Sequence, residues 1–365
     1  MIETDSSIIT QIDEVRHYDP QGALHYDHVS MVDRQRLNRW VTCFEDTSTG
    51  TIYLHNGTVS TDGGRTVVKR DKMNFNEVLA VPEGAVFCEP GLFLGLESFV
   101  TYEEPGRYSV RAWRGTTPAS AGDEEEVTFN IPNGPRPKED FPDEWYGLYI
   151  HRSIVRRDDG ALLCTVEGNM AEDTLTPADK WSRIEGRYQG RSIIVISVDE
   201  GRSWDYLSTI AAPEEGDPIG EGFGEPTMIQ LDDGRLFCLM RSGHYTPMYA
   251  CWSQDGGQSW TVPLYTGLER GCDACLLKLR DGRLAVSYGR RYPEGWSHAR
   301  GDGDRFKYPG HGLMLLAINE DGTGESWKVA QIGGGMGSCY STIIEVESKV
   351  LFCQVDGWYW RVCLA

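Results

Sequence analysis

The chain has 365 residues, 40% hydrophobic and 25% charged, with a mean hydropathy of -0.41, a composition that supports a large buried core and excludes global disorder. No run of about 18 apolar residues occurs, and the opening MIETDSSIIT lacks the basic end and apolar stretch of a signal peptide, so neither a membrane span nor secretion is expected. Lys and Arg total 35 against 55 Asp and Glu, a net charge of -20 that argues against a nucleic-acid partner, because phosphate binding needs clustered cations.

In chain order, Ser7 to Arg16 reads as a strand and HVSMVDRQRLNRWVTCFE, from His28 to Glu45, as a hairpin. STDGGRTV, from Ser60 to Val67, is the first and weakest copy of a repeated box, S-x-D-x-G-x-S-W. A blurred hairpin falls near Phe87 to Phe99, and the Pro-rich Pro132 to Gly147 reads as a connector. HRSIVRRDDGALLCTVE, from His151 to Glu167, is a strand, an Asp-Gly turn and a strand, the strongest short-range hairpin signal. A long loop, Gly168 to Gly190, precedes the full box SVDEGRSW, from Ser197 to Trp204.

EPTMIQLDDGRLFCLMR, from Glu225 to Arg241, repeats the hairpin, and SQDGGQSW, from Ser253 to Trp260, repeats the box. DACLLKLRDGRLAVSYGR, from Asp273 to Arg290, and a second long loop, Arg291 to Gly312, come before NEDGTGESW, from Asn319 to Trp327, a box with one inserted residue. YSTIIEVESKVLFCQVD, from Tyr340 to Asp356, fits the hairpin frame with Ser348 and Lys349 at the turn. In each box the Asp supplies an acceptor for turn amides and the Trp packs beneath, so the boxes read as turn staples rather than catalytic groups.

Asp199, Asp255 and Asp321 are spaced by 56 and 66 residues, and helical periodicity is nearly absent. Six hairpins, each followed by another strand pair, predict an all-β chain: one domain over residues 1–365, a six-bladed β-propeller of four-stranded antiparallel blades. The last unit ends near Val362 one strand short, so the N-terminal strand is expected to close the ring.

Of ten cysteines, Cys43, Cys164, Cys238 and Cys353 sit inside apolar runs, where a thiol behaves as a small buried hydrophobe; this favours free thiols and a cytoplasmic compartment. Cys272 and Cys275 form the only C-x-x-C, without a second pair or a His cluster. No H-E-x-x-H, phosphate-cradling Gly loop or EF-hand loop is present, so no metal and no organic cofactor is expected.

The boxes, the segment opening at Glu225 and the late YSTIIEV opening at Tyr340 together resemble the sialidase (neuraminidase) superfamily. In the expected topology strand-one starts (His28, His151, Arg152, Glu225, Asp273, Tyr340) and strand-two ends (Glu45, Glu167, Arg241, Arg290, Asp356) share the face opposite the boxes. The resemblance implies Tyr340 as nucleophile and Glu225 as the carboxylate that draws its proton, since a phenol attacks only when polarised. It also implies Arg241 and Arg290 as the grip on a substrate carboxylate, a task suited to the planar guanidinium fork, with Arg291 a nearby competitor.

The pattern departs from the superfamily in the first unit, where His28 stands in place of an Arg and no Asp matches the usual acid. The Arg-bearing opening appears at Arg152 instead. His28, His151 and Glu167 are candidates for the missing acid or base. Asp273 and Asp356 are candidate substrate contacts, or partners of Arg241 and Arg290 in a structural ion-pair ring. Trp296, with Trp181, Tyr188, Tyr308, His298 and His311, gives the long loops faces for sugar stacking. The leading expectation is an exo-acting glycoside hydrolase on an acidic glycan. A lyase or hydrolase for uronic-acid or rhamnose-type polysaccharides and a non-catalytic glycan-binding protein are the alternatives, and the oligomeric state is left open.

Overall fold

The computed structural model describes residues 5–18, 43–54, 58–69, 84–135, 147–173, 190–213, 222–242, 247–269, 271–290, 313–333, 341–355 and 358–365. Apart from short 3-10 turns at Ser6–Ile8 and Pro118–Ser120, the regular structure in these residues is β. In chain order come β1 (Ile9–Glu14), β2 (Arg16–Tyr18), β3 (Cys43–Asp46), β4 (Thr51–Leu54), β5 (Thr58–Ser60) and β6 (Thr66–Lys69). Next are β7 (Ala85–Glu89), β8 (Leu92–Leu96), β9 (Thr101–Glu104), β10 (Arg107–Gly115), β11 (Glu125–Asn130), β12 (Leu148–Arg156), β13 (Leu162–Gly168), β14 (Arg191–Ser197) and β15 (Ser203–Ala211). The rest are β16 (Gly224–Gln230), β17 (Leu236–Arg241), β18 (Pro247–Ser253), β19 (Leu264–Glu269), β20 (Gly271–Lys278), β21 (Leu284–Arg290), β22 (Leu313–Asn319), β23 (Lys328–Gly333), β24 (Ser341–Glu347), β25 (Val350–Val355) and β26 (Trp358–Leu364).

The all-β expectation holds, but the six-bladed propeller does not: the strands form five sheets of 4, 9, 4, 5 and 4 strands. In the nine-stranded sheet, eight strands close on themselves in the order β11-β15-β14-β13-β12-β7-β8-β10, with β10 returning to β11. Two parallel pairings cause the fusion. Ala85 and Val86 of β7 pair with Arg152 and Ser153 of β12, and Thr128–Asn130 of β11 pair with Ser203–Asp205 of β15. The second seam is reinforced by Phe129 stacked on Trp204, with centroids 5.7 Å apart, and by the Asn130 amide donating to Asp205 at 2.8 Å. Both rings are fully buried, and burying such a ring contributes about 2–3 kcal/mol.

Of the hairpin expected over His28 to Glu45, residues 28–42 lie outside the described residues. Glu45, expected at the end of a second strand, is corrected: it lies in β3, which pairs with β4 through the turn after Asp46. The other hairpins form as read: β12/β13, β16/β17 and β20/β21 turn through glycines at φ 88°, 85° and 88°, and β24/β25 turns at Ser348 and Lys349. Within Ser7 to Arg16, β1 pairs with β26, while β2 joins β6 in a different sheet. The Pro132 to Gly147 connector falls largely outside the described residues, as do most of the two long loops.

Consecutive sheets pack face to face. Leu163 and Ile194 meet Phe223 and Met240; Leu239 and Met248 meet Leu276 and Tyr288; Leu316 and Ile318 meet Ile343 and Val362; Ile52 and Val67 meet Phe352 and Tyr359. Phe44 against Phe93 joins the five-stranded sheet to the nine-stranded one, so the five sheets form a closed cycle. Strands β7, β12, β16, β20 and β24 lie side by side toward its centre, with β3 touching both β24 and β7.

The boxes are staples, as read. Asp199, between β14 and β15, accepts from the Ser203 amide at 2.9 Å, the Ser203 hydroxyl at 2.7 Å and the Ser197 hydroxyl at 2.7 Å. Beneath it the Trp204 indole donates to Gly201 O at 3.1 Å. Burial opposes ionisation of Asp199, but the Ser203 and Ser197 hydrogen bonds outweigh it and hold the carboxyl below its ordinary value of 3.8. Asp199→Ala is therefore expected to lose about 1–2 kcal/mol in urea unfolding at pH 7. Because the folded-state pKa is depressed, the difference from wild type is full above 3.8 and narrows as pH falls below it.

Candidate functional site

Strands β12, β16 and β20 each carry an irregularity at the same level, between Ile150 and Ile154, Gly224 and Thr227, and Cys272 and Cys275. Inside each irregularity a non-glycine residue takes the left-handed conformation: Arg152 at φ 47°, Glu225 at 48° and Asp273 at 50°. Such residues are uncommon and cost about 1–3 kcal/mol each. A bulge turns a side chain away from the alternation of its strand and removes its amide from the ladder.

Those amides must find acceptors elsewhere. The Arg152 amide donates to Gly84 O at 3.2 Å. The Glu225 amide donates to Glu167 Oε2, and the Asp273 amide to Glu225 Oε2 at 2.6 Å. Each carboxylate thus caps the strained residue of the following sheet. Gly224 leaves room for this bond, because a Cβ there would lie 2.7 Å from Glu167 Oε2 and would push the carboxyl aside.

The side chains close a charge network. Arg152 donates through Nε to Asp273 Oδ1 at 3.0 Å and through Nη2 to Oδ2, and its Nη1 reaches Thr342 Oγ1 at 3.1 Å. Arg241 Nε lies 2.9 Å from Glu225 Oε2. His151 Nε2 stands 3.5 Å from Asp273 Oδ1. Glu225, Asp273, Arg152 and His151 are buried, while Glu167 and Arg241 are partly open. Below this layer, hydroxyls tie the central strands together: Ser153 and Thr227 are 3.2 Å apart, and the Met228 and Leu276 amides donate to them at 2.8 and 3.3 Å.

The electrostatics separate the groups. Burial, then repulsion from Glu225, pushes the Glu167 carboxyl up to about 7. Burial, reinforced by Arg152, holds the His151 imidazole well below its ordinary value, so it is neutral at pH 7. Burial opposes the charge on Arg152, but attraction to Asp273, with Glu225 behind it, outweighs burial and holds the guanidinium above its ordinary value. The cluster therefore offers one carboxyl able to give or take a proton near neutrality, beside a second carboxylate held by a guanidinium.

Of the residues singled out in the sequence, the fold brings Glu225, Glu167, His151, Arg152, Asp273 and Arg241 together. Arg290 closes β21 opposite Gly271, at the same end of the neighbouring sheet. Glu45 is elsewhere, with Arg280 of the β20/β21 turn as its neighbouring cation. His28, Tyr340, Asp356 and Trp296 lie outside the described residues. Thr342, Ser153 and Thr227 were missed, although the small hydroxyl residues just after Arg152 and Glu225 are visible in the chain. No disulfide joins the nine described cysteines. No group of three or more His, Cys, Asp or Glu among the described residues is arranged to hold a metal ion.

Residues 138–352 match the family of BNR repeat-like domains. The fold is shared with a protein of unknown function from Dyadobacter fermentans DSM 18053, at 15% identity and a TM-score of 0.59, over 90% of this chain and 94% of that one. It is also shared with a Hadza microbial sialidase, at 13% identity and a TM-score of 0.57, over 90% of this chain and 66% of that one. None of the curated proteins matches the chain significantly.

Asp273→Ala leaves Arg152 buried without its counter-ion, and is expected to cost about 3–5 kcal/mol in chemical denaturation. Glu167 has the opposite signature to Asp199. Its raised folded pKa means that stability is greatest below the free-glutamate value of 4.5 and declines as pH rises toward about 7. Thermal midpoints across that window should fall in wild type and flatten in Glu167→Gln.

Proposed function

The chain belongs to the family of BNR repeat-like domains, and on that premise we propose that it is a glycan-active enzyme of the sialidase-like superfamily that hydrolyses a glycosidic bond at the Glu167, Glu225 and Arg241 cluster. The observation that carries this reading is the pair of adjoining carboxyl groups with one pushed up to about 7. Glycoside hydrolysis needs one carboxyl that still holds a proton for the departing oxygen and a second group that stays charged.

In this scheme Glu167 protonates the leaving oxygen. Tyr340, immediately before β24 in the chain, bonds the anomeric carbon through its phenol oxygen and gives its proton to Glu225. Water then enters at the same carbon with Glu167, now ionised, as base, and the phenol recovers its proton. Arg241 holds Glu225 in place from 2.9 Å, and Arg290 supplies a cation for an acidic sugar. The buried Arg152 and Asp273 pair acts as the support on which Glu225 is set, because the Asp273 amide is a direct donor to it.

A panel of fluorogenic glycosides (a sialoside, a glucuronide, an arabinoside and a rhamnoside) tests the reading. Glu167→Gln should lower kcat by about 10²–10⁴ on whichever is turned over, and Tyr340→Phe should also abolish most of the rate. The protonated acid is the active form, so kcat/KM should decline above about pH 7, and this limb should be absent from the residual activity of Glu167→Gln. Turnover undiminished in Glu167→Gln would overturn the assignment. An ultraviolet-absorbing unsaturated product would assign elimination instead of hydrolysis.

A further inference from the structure

We propose that Phe99 and Tyr149 form an aromatic platform that stacks one sugar ring of the substrate beside Glu167. This deepens the hydrolase reading and rests on it for the identity of the ligand. Residues 98–100 run antiparallel to the start of β12, with the Ile150 amide donating to Ser98 O at 2.8 Å and the Val100 amide to Leu148 O at 3.3 Å. Phe99 and Tyr149 are directly opposed between those two bonds. In an antiparallel ladder this is the closer kind of pair, and opposed side chains lie on the same face.

The rings meet edge to face, with centroids 5.6 Å apart and planes at 69°. On its other side Tyr149 is directly opposite Glu167 in β13. Phe99, Tyr149 and Glu167 therefore stand in one row on one face, each about 5 Å from the next at Cβ. That spacing sets Tyr149 one step from Glu167 and Phe99 one step further along the row.

Phe99 is 42% exposed, although the chain on both sides of it is hydrogen-bonded to β12. A large ring left 42% exposed on a hydrogen-bonded segment buries less apolar area than a core position would. It suits recognition, because a fixed aromatic loses little freedom on binding. The negative face of its π-system attracts the polarised C–H groups on the apolar face of a pyranose. The class of ligand is thus a glycan whose residue next to the scissile oxygen is a pyranose with one face of C–H groups. The other exposed large apolar residues, Ile12, Val68, Val198, Val262, Leu264 and Tyr265, have no such pairing with the carboxyl row among the described residues.

The test uses the full chain and its Phe99→Ala, Phe99→Trp and Tyr149→Ala variants. Binding of lactose, sialyllactose and digalacturonic acid is measured by calorimetry on the Glu167→Gln background, and turnover of the active fluorogenic glycoside on the wild-type background. Phe99→Ala should weaken binding and raise KM about five- to tenfold with kcat nearly unchanged, and Phe99→Trp should restore both. Because Phe99 is exposed, its replacement should leave the thermal midpoint close to wild type, which separates recognition from a folding defect. Glycan binding unaltered in both alanine variants overturns the platform and leaves the acid assignment standing. Turnover that survives Glu167→Gln overturns the acid assignment, while the binding comparison still decides the platform. Absence of binding of all three probes to the Glu167→Gln chain with Phe99 and Tyr149 intact overturns the platform as a sugar subsite.

Discussion

The carboxylate that caps a strained amide in the next sheet is the contact on which the site depends. In β16 and β20 a buried acidic residue sits in the left-handed region, a conformation it does not favour, and its amide has left the ladder. An uncapped amide at that depth would cost about 1–3 kcal/mol on top of the backbone strain. Glu167 caps Glu225, and Glu225 caps Asp273, which in turn neutralises Arg152. Each charged group is thereby both a stabiliser of its neighbour and a member of the cluster. The repulsion that raises Glu167 follows from the same closeness, since the carboxyl that caps Glu225 is brought beside the Glu225 carboxylate.

Strain of this kind survives only where the surroundings determine it more strongly than local preference does. The boxes contribute to that from the far end of the sheets: Ser197 pairs with Leu162 while Arg191 pairs with Gly168, so Asp199 and Glu167 stand at opposite ends of the same strands. Short, locally bonded turns stand at one end of these strands, and the long-range contacts of the charged cluster at the other. The cores between sheets join the two ends, with Tyr288 and Met248 packed against Gly271, two residues before Asp273.

What could be read from the chain follows this division. The boxes and Asp-Gly turns were legible because their residue types have a local reason: an acceptor for amides two to four positions on, and a glycine at positive φ. Two hairpin frames opened on residues that prove to be bulged, Glu225 and Asp273, and the third opened at His151, one residue before Arg152. The bulges themselves were not legible, since Arg, Glu and Asp carry no preference for that conformation strong enough to mark it. Glu45 was misplaced because its turn, Asp46 to Gly50, lacks the Asp-Gly signal. The fusion of strands into a closed eight-stranded sheet was hidden for a different reason. Pairing of β7 with β12 and of β11 with β15 is parallel, joins distant segments and leaves no periodicity that differs from an isolated antiparallel unit.

The pairing of β1 with β26 has a consequence for how the molecule is made. Thr10 bonds to Cys363 across 353 residues, so the sheet of β24, β25 and β26 gains its fourth strand from the opposite end of the chain. Closing a loop of that length in an otherwise unfolded chain carries a logarithmic entropy cost of about 5 kcal/mol, and the sheets that form in between lower it by bringing the two ends together. During synthesis β1 emerges long before β26, and it must stay without that edge until its partner has been made. The seam between β1 and β26 is therefore among the last parts of the cycle of sheets to form.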